Sequence, residues 1–363
     1  MKTRSTFAAG LLTTLLTLAI TLSVPLATGI ATAAPLMYVP TGPTNEVLVI
    51  DLHTDRIVQR IAGLENAHGL AGNARAFYLV AGSMQPQGTG GNGAKPAAGN
   101  DDAHAAHHGK AAGAAATSPS ATPFVTLIDR RTRKITRRIG VPGLTHHTAV
   151  SPDGEYAAAV HPGKGAVSII DLDEQRVIEN IAVGAGPNFA LFGHRDGHLY
   201  ISNTRDGSIS VIDTRQWRRL GDIDVGGEPE HMALSADGNR LYVVDVGNGK
   251  VLEVDLPGAA VRTIYPVGTA PHAVDVSTDR RWLFVSVRGE NRLVRIDQES
   301  GARLSVDLPP APYHLEYAEV VDKLYVSSRK LPRIWVLDPR TLAVRGTIDL
   351  GRGVGHQMVV IPE

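Results

Sequence analysis

Apolar and polar residues alternate along this chain in short bursts of five or six, separated by turn-forming residues. The clearest burst is an apolar run that closes on Asp. It reads VLVIDL at Val47 to Leu52, VTLIDR at Val125 to Arg130, VSIIDL at Val167 to Leu172 and ISVIDT at Ile209 to Thr214. It continues as VLEVDL at Val251 to Leu256, LVRIDQ at Leu293 to Gln298 and IWVLDP at Ile334 to Pro339. Short β-branched runs bounded by turn residues are strands. The closing residues are Asp51, Asp129, Asp171, Asp213, Asp255, Asp297 and Asp338, in steps of 78, 42, 42, 42, 42 and 41. One period therefore holds throughout, with an insertion in the first step.

Each period has room for four strands. In the fourth unit they fall at about Phe189 to Phe192, His198 to Ser202, Ser208 to Asp213 and Arg218 to Val225. The turns Ser151-Pro152-Asp153-Gly154 and Ser235-Ala236-Asp237-Gly238 suit tight connections between the first two strands. Four strands at a period of roughly 40–45 residues describe a propeller blade. The expected fold is thus all-β, a seven-bladed β-propeller with four strands per blade. Its ring closes when the C-terminal strand Met358 to Ile361 completes the blade begun by Met37-Tyr38-Val39. Residues 34–363 form this domain. Asp51, Asp171 and Asp213 are expected to cap turns, not to do chemistry.

The phrases Val211-Ile212-Asp213-Thr214, Val267-Gly268 to Pro271, Ser235 to Gly238 and Leu241-Tyr242-Val243 resemble those of the YVTN-repeat, or YncE-like, seven-bladed propellers. That resemblance implies the fold over about residues 36 to 363. It says little of function, because propellers host many unrelated activities.

The first 33 residues stand outside the repeat. Lys2 and Arg4 precede an apolar run from Phe7 to about Leu22, and Ala31-Thr32-Ala33 is a small-x-small cleavage site. This predicts a secretory signal peptide over residues 1–33 and a periplasmic or secreted product with no membrane contact after cleavage.

Composition narrows the chemistry. The chain has no Cys, 14 His, and 36 basic against 36 acidic residues. Zero Cys excludes disulfides, Cys-bound zinc, iron–sulfur clusters and covalent c-type haem. Balanced charge removes the basic footprint of a nucleic-acid binder. Gly-x-Ser-x-Gly, His-Glu-x-x-His and P-loop motifs are missing. The expected product is a monomer and not an enzyme.

The histidines are placed by the repeat. Just before each innermost strand the chain reads NAHGLA (His68), THHTAV (His146, His147), GPNFAL (Asn188), PEHMAL (His231), APHAVDV (His272), PYHLEY (His314) and VGHQMV (His356). Equivalent positions in seven blades form a ring about one mouth of the central channel. Converging neutral imidazoles suit a borderline divalent metal, zinc first and copper as the alternative. Counted from the Pro position of the resembled family, held here by Thr145, Pro229, Pro271 and Pro312, His146 and His272 fall at the first position, and His147, His231 and His314 at the second. Adjacent residues of a regular strand face opposite ways. The second-position group is therefore the preferred ligand set; without a Pro, His68 and His356 have no assigned register.

The insertion, about residues 83–122, is rich in Gly, Ala and Pro and carries His104, His107 and His108. It joins the second strand to the third, so it returns to the ringed face; such a composition is flexible and such a tract binds metal. His161 is expected to join this face, and His53, His194 and His198 to be surface residues. Ring and insertion together resemble the periplasmic zinc chaperones of ABC-type zinc importers. This implies capture at His104, His107 and His108, storage at the ring, and a solute-binding protein of a metal importer as partner. A nitrous-oxide-reductase-like copper centre, a haem d1-type site and a YVTN protein-interaction scaffold are the competing readings.

Overall fold

The Asp-tagged strands are apolar at most successive positions because each sits inside a blade whose two faces are both covered. Val47 and Val49 face one neighbouring blade, with Leu70, Leu79 and Ile128. Leu48 and Ile50, one residue out of phase, face the other, with Tyr325, Ile334 and Val336. In the computed structural model, which describes residues 34–85, 122–194 and 196–362, this alternation repeats around the ring. Seven four-stranded antiparallel sheets result, with a separate apolar cluster in each of the seven seams between them. Full burial of each Val, Leu or Ile contributes roughly 1.5–3 kcal/mol. The outer strands show the opposite pattern, exposed at alternate positions, as at Arg56–Ala62.

Two single 3₁₀ turns, Arg288–Glu290 and Glu319–Val321, are the only helical elements among the described residues. No helix there is long and apolar enough to cross a membrane. The expected signal peptide lies outside the described residues, as do positions 86–121 of the insertion with His104, His107 and His108.

The ring closes as the sequence predicts. Innermost strand Val359–Ile361 pairs with Leu36–Pro40, in register Leu36 with Ile361 and Tyr38 with Val359. Two arginines at the surface converge on the buried Glu46 carboxylate beside this seam. Glu46 accepts from Arg60 at 2.7 Å and from Arg352 at 3.1 Å. Burial alone would raise the Glu46 carboxyl, but the hydrogen bonds and charges of Arg352 and Arg60 outweigh it and hold the group below its ordinary range.

The recurring aspartates cap turns. Asp51 accepts from the His53 and Thr54 amides, and Asp213 from those of Arg215 and Gln216. Ser151 and Ser235 likewise accept from the amides of Tyr156 and Arg240 across their turns.

Candidate metal centre

The register conflict among the histidines is removed by a β-bulge. In five blades the pairing of the innermost strand skips two residues: between Ala67 and Leu70, Pro187 and Ala190, Pro229 and Met232, Pro271 and Val274, and Pro312 and Leu315. The skipped pairs are His68-Gly69, Asn188-Phe189, Glu230-His231, His272-Ala273 and Tyr313-His314. A bulge interrupts side-chain alternation, so first and second positions can both turn to the axis. His272 and His231 take different positions, yet their rings lie 4.3 Å apart. In the third blade both histidines precede a short innermost strand, Thr148–Val150, and their rings lie 4.1 Å apart.

All seven ring histidines are buried, at 0–6% exposure. His68 lies 4.5 Å from His146 and 4.0 Å from His356, between ring centres. His231 and His314 are separated by 4.8 Å, and His272 and His314 by 4.9 Å. Ring nitrogens of His68, His147 and His314 come within 4.8 Å of one another, and so do those of His231, His272 and His314. The second-position residues His147, His231 and His314 are neighbours, but each tight nitrogen group also draws on a first-position residue.

Surrounding groups prepare these rings. His147 Nδ1 is 2.9 Å from the Asn188 carbonyl. A carbonyl only accepts, so Nδ1 carries the proton and Nε2 keeps its lone pair, as a metal ligand requires. Burial, then the Arg329 and His147 charges, push His356 down to about 3, so it is neutral at physiological pH. Gly42, at φ +59°, makes room for it: a Cβ there would stand 2.8 Å from His356 Nε2. Gly69 sits so close to the third blade that its Cβ would meet His147 Cα at 2.6 Å.

Three residues beside the cluster were not foreseen. Glu230 Oε2 lies 3.8 Å from His272 Nδ1, both groups being buried, and burial pushes its carboxyl up to about 8 against the pull of Arg288. The Tyr313 ring stacks on His272 at 4.0 Å and 12°, and the Arg329 guanidinium lies 5.3 Å from the centre of the Tyr313 ring. Glu230 and Tyr313 each occupy the first bulge position, immediately before a histidine. Foresight of the bulge would have marked both.

Beneath the ring lies the channel itself, a cavity of about 570 Å³ bordered by Leu70, Val150, Phe189, Glu316 and Met358. Phe189 separates it from the histidines, its ring 5.0 Å from His147 and 4.9 Å from His231. Asp275 and Glu316 hold the same place in adjacent blades, four residues after Pro271 and Pro312. Burial raises Asp275 to about 6, and burial plus the Asp275 charge raises Glu316 well above the carboxylate range.

His161 does not join the cluster. It is fully buried inside its own blade, Nε2 lying 2.8 Å from Ser168 Oγ. Its Nδ1 lies 3.3 Å from the Leu144 carbonyl, and Ser168 donates its hydroxyl proton onward to Asn180. His53 and His194 are exposed surface residues and His198 is partly exposed, beside Asp196.

Neither a family model nor a curated relative matches this sequence. Among solved structures, it resembles a functionally unknown protein from Desulfotomaculum acetoxidans (TM-score 0.70, 12% identity, 90% of this chain and 99% of that one). It also resembles the periplasmic gluconolactonase of Pseudomonas aeruginosa (TM-score 0.69, 15% identity, 90% and 99%). A third is Kuenenia stuttgartiensis hydrazine synthase (TM-score 0.59, 21% identity, 75% and 76%). Identities this low establish a shared propeller fold. The class is therefore a seven-bladed propeller with a buried histidine cluster that could bind metal.

Proposed function

We propose that this protein is a metal-binding propeller that holds a borderline divalent ion, zinc first, and serves as a periplasmic chaperone or buffer for it. The observation that carries this reading is the pair of overlapping imidazole groups whose nitrogens lie within 4.8 Å of one another. Buried side chains are normally chosen to pack, and seven imidazoles in one place are a poor way to fill a core. As zinc ligands they are apt: neutral, nitrogen-bearing and convergent. His104, His107 and His108 on the insertion serve as the capture site in this reading, and a solute-binding protein of a metal importer as the recipient.

The test is elemental analysis of the full chain after zinc-supplemented growth, followed by titration of the metal-stripped protein. At least one tightly held ion per chain is expected. Joint replacement of His147, His231 and His314 by Ala should abolish tight binding and leave the β-sheet circular dichroism intact. Metal-free protein that also fails to bind zinc or copper in titration would sink the reading. A copper oxidoreductase is the second reading, favoured by the number of imidazoles, since seven exceed the roughly four that one zinc takes. Copper content with visible absorption would select it. The lactonase activity of one structural relative is checked in the same preparation by lactone hydrolysis, and is expected to be at background.

A further inference from the structure

The imidazole nitrogens converge in two groups, and the groups overlap. His68, His147 and His314 form one and His231, His272 and His314 the other, the nitrogens of each lying within 4.8 Å of one another. His314, on the innermost strand of the seventh blade, is the member common to both. Ring centres stand 5.3, 5.9 and 5.9 Å apart in the first group. In the second they stand 4.3, 4.8 and 4.9 Å apart. A tetrahedral ion bound by nitrogen at about 2.0–2.1 Å, with the rings pointing at it, would hold their centres about 5.2 Å apart. The first group therefore needs a small contraction and the second a small spreading. The groups are also contiguous, because His147 of one lies 4.8 Å from His231 of the other, ring to ring.

On the metal-binding reading above, we infer that the cluster holds one divalent transition-metal ion at a time, in either of two overlapping three-imidazole sites that share His314. A neutral imidazole has one lone-pair nitrogen to give, so His314 completes one site or the other, never both. Two dications around one shared neutral ligand would also repel strongly in a buried place. His314 is thus a pivot. The ion crosses by exchanging one imidazole for another over the His147–His231 contact while His314 stays bound to it. Three protein ligands leave a fourth position open in either site, and an open position admits another ligand. An ion held this way is retained by the cluster and yet accessible to the ligand that takes it away, as a carrier requires.

The experiment uses the full chain with His104, His107 and His108 replaced by Ala, so that the insertion contributes no ion. Stripped protein is titrated with Co²⁺, read by its visible absorption, and with Zn²⁺, read by mass spectrometry of metal content. One equivalent is expected. The ring is then cut with Asn, which the fourth blade already carries at this place as Asn188. His68→Asn with His147→Asn should keep one equivalent, held by His231, His272 and His314. His231→Asn with His272→Asn should likewise keep one, held by His68, His147 and His314. His314→Asn takes a ligand from both sites and should bind roughly a hundredfold more weakly than the parent. Each variant is first shown to unfold cooperatively in urea; where a double variant fails to fold, His147→Asn or His231→Asn alone replaces it, with one equivalent again expected. Two equivalents on the parent chain overturn the inference while leaving metal binding standing. Loss of the ion on cutting either group, or parental affinity in His314→Asn, overturns it as well. No binding by the parent chain would instead overturn the reading on which it rests.

Discussion

At the scale of single residues, the centre depends on side chains that are small or uncharged. Gly42→Ala places a Cβ 2.8 Å from His356 Nε2 and forces a left-handed backbone, φ +59°, on a residue with a Cβ. That conformation costs an L-residue roughly 1–2 kcal/mol. Urea unfolding of the metal-free variant should show about that loss, and metal affinity should fall because the imidazole is displaced. His161 makes a second, pH-dependent prediction. Burial pushes its imidazole down to about 4 from the ordinary 6.5. The unfolded chain therefore binds a proton that the native chain refuses. The stability due to neutral His161 is complete above pH 6.5 and is lost as pH falls toward 4, on the order of 1–3 kcal/mol in all. His161→Gln can keep the bond to Ser168 without titrating. The drop in unfolding free energy between pH 7 and pH 5 should be smaller in that variant than in the parent.

At the scale of the element, the bulge at the start of the innermost strand is the decisive device. The third strand of each blade was legible because its apolar run and closing Asp repeat at near-constant spacing, as at Asp171, Asp213 and Asp255. The bulge was not, because it has no fixed sequence: its two positions hold Glu-His in one blade, His-Ala in the next and Tyr-His in the next. The histidines could thus be located along the chain, while their convergence depended on a backbone irregularity that strand periodicity does not encode. Glu230 and Asp275 were hidden for a related reason, since what sets them apart is depth, not spacing. The closing seam gives the prediction at this scale. Glu46→Gln removes the charge that Arg60 and Arg352 answer. Both arginines are partly exposed, so the loss at pH 7 should be modest, about 1–2 kcal/mol. Because the Glu46 carboxyl titrates below its ordinary range, its contribution is present at neutral pH and disappears as acid protonates it. Parent and variant should therefore converge in stability under acid.

At the scale of the molecule, metal and fold are linked. The rings come from six of the seven blades, so an ion held by them binds the native state and not the unfolded chain. Stabilisation by a ligand at 1,000 times its dissociation constant is about 4.1 kcal/mol. The metal-loaded protein should melt several degrees above the stripped one in calorimetry, and excess EDTA should erase the difference. No shift on zinc or copper addition would contradict tight binding. The whole-molecule architecture was readable from seven strands and one period; what the ring encloses was not, because Phe189, Glu316 and Met358 meet only when distant blades do.

The blade that joins the two ends of the chain contains the innermost strand Val359–Ile361, and His356 stands three residues before that strand. A ribosome must therefore pass residue 361 before this blade has its inner edge, and residue 356 before the seventh imidazole exists. Until then His68 lacks the His356 ring that stands 4.0 Å from it. Closure of the ring and completion of the histidine cluster are thus one structural event, and a chain truncated before residue 356 should lose both together.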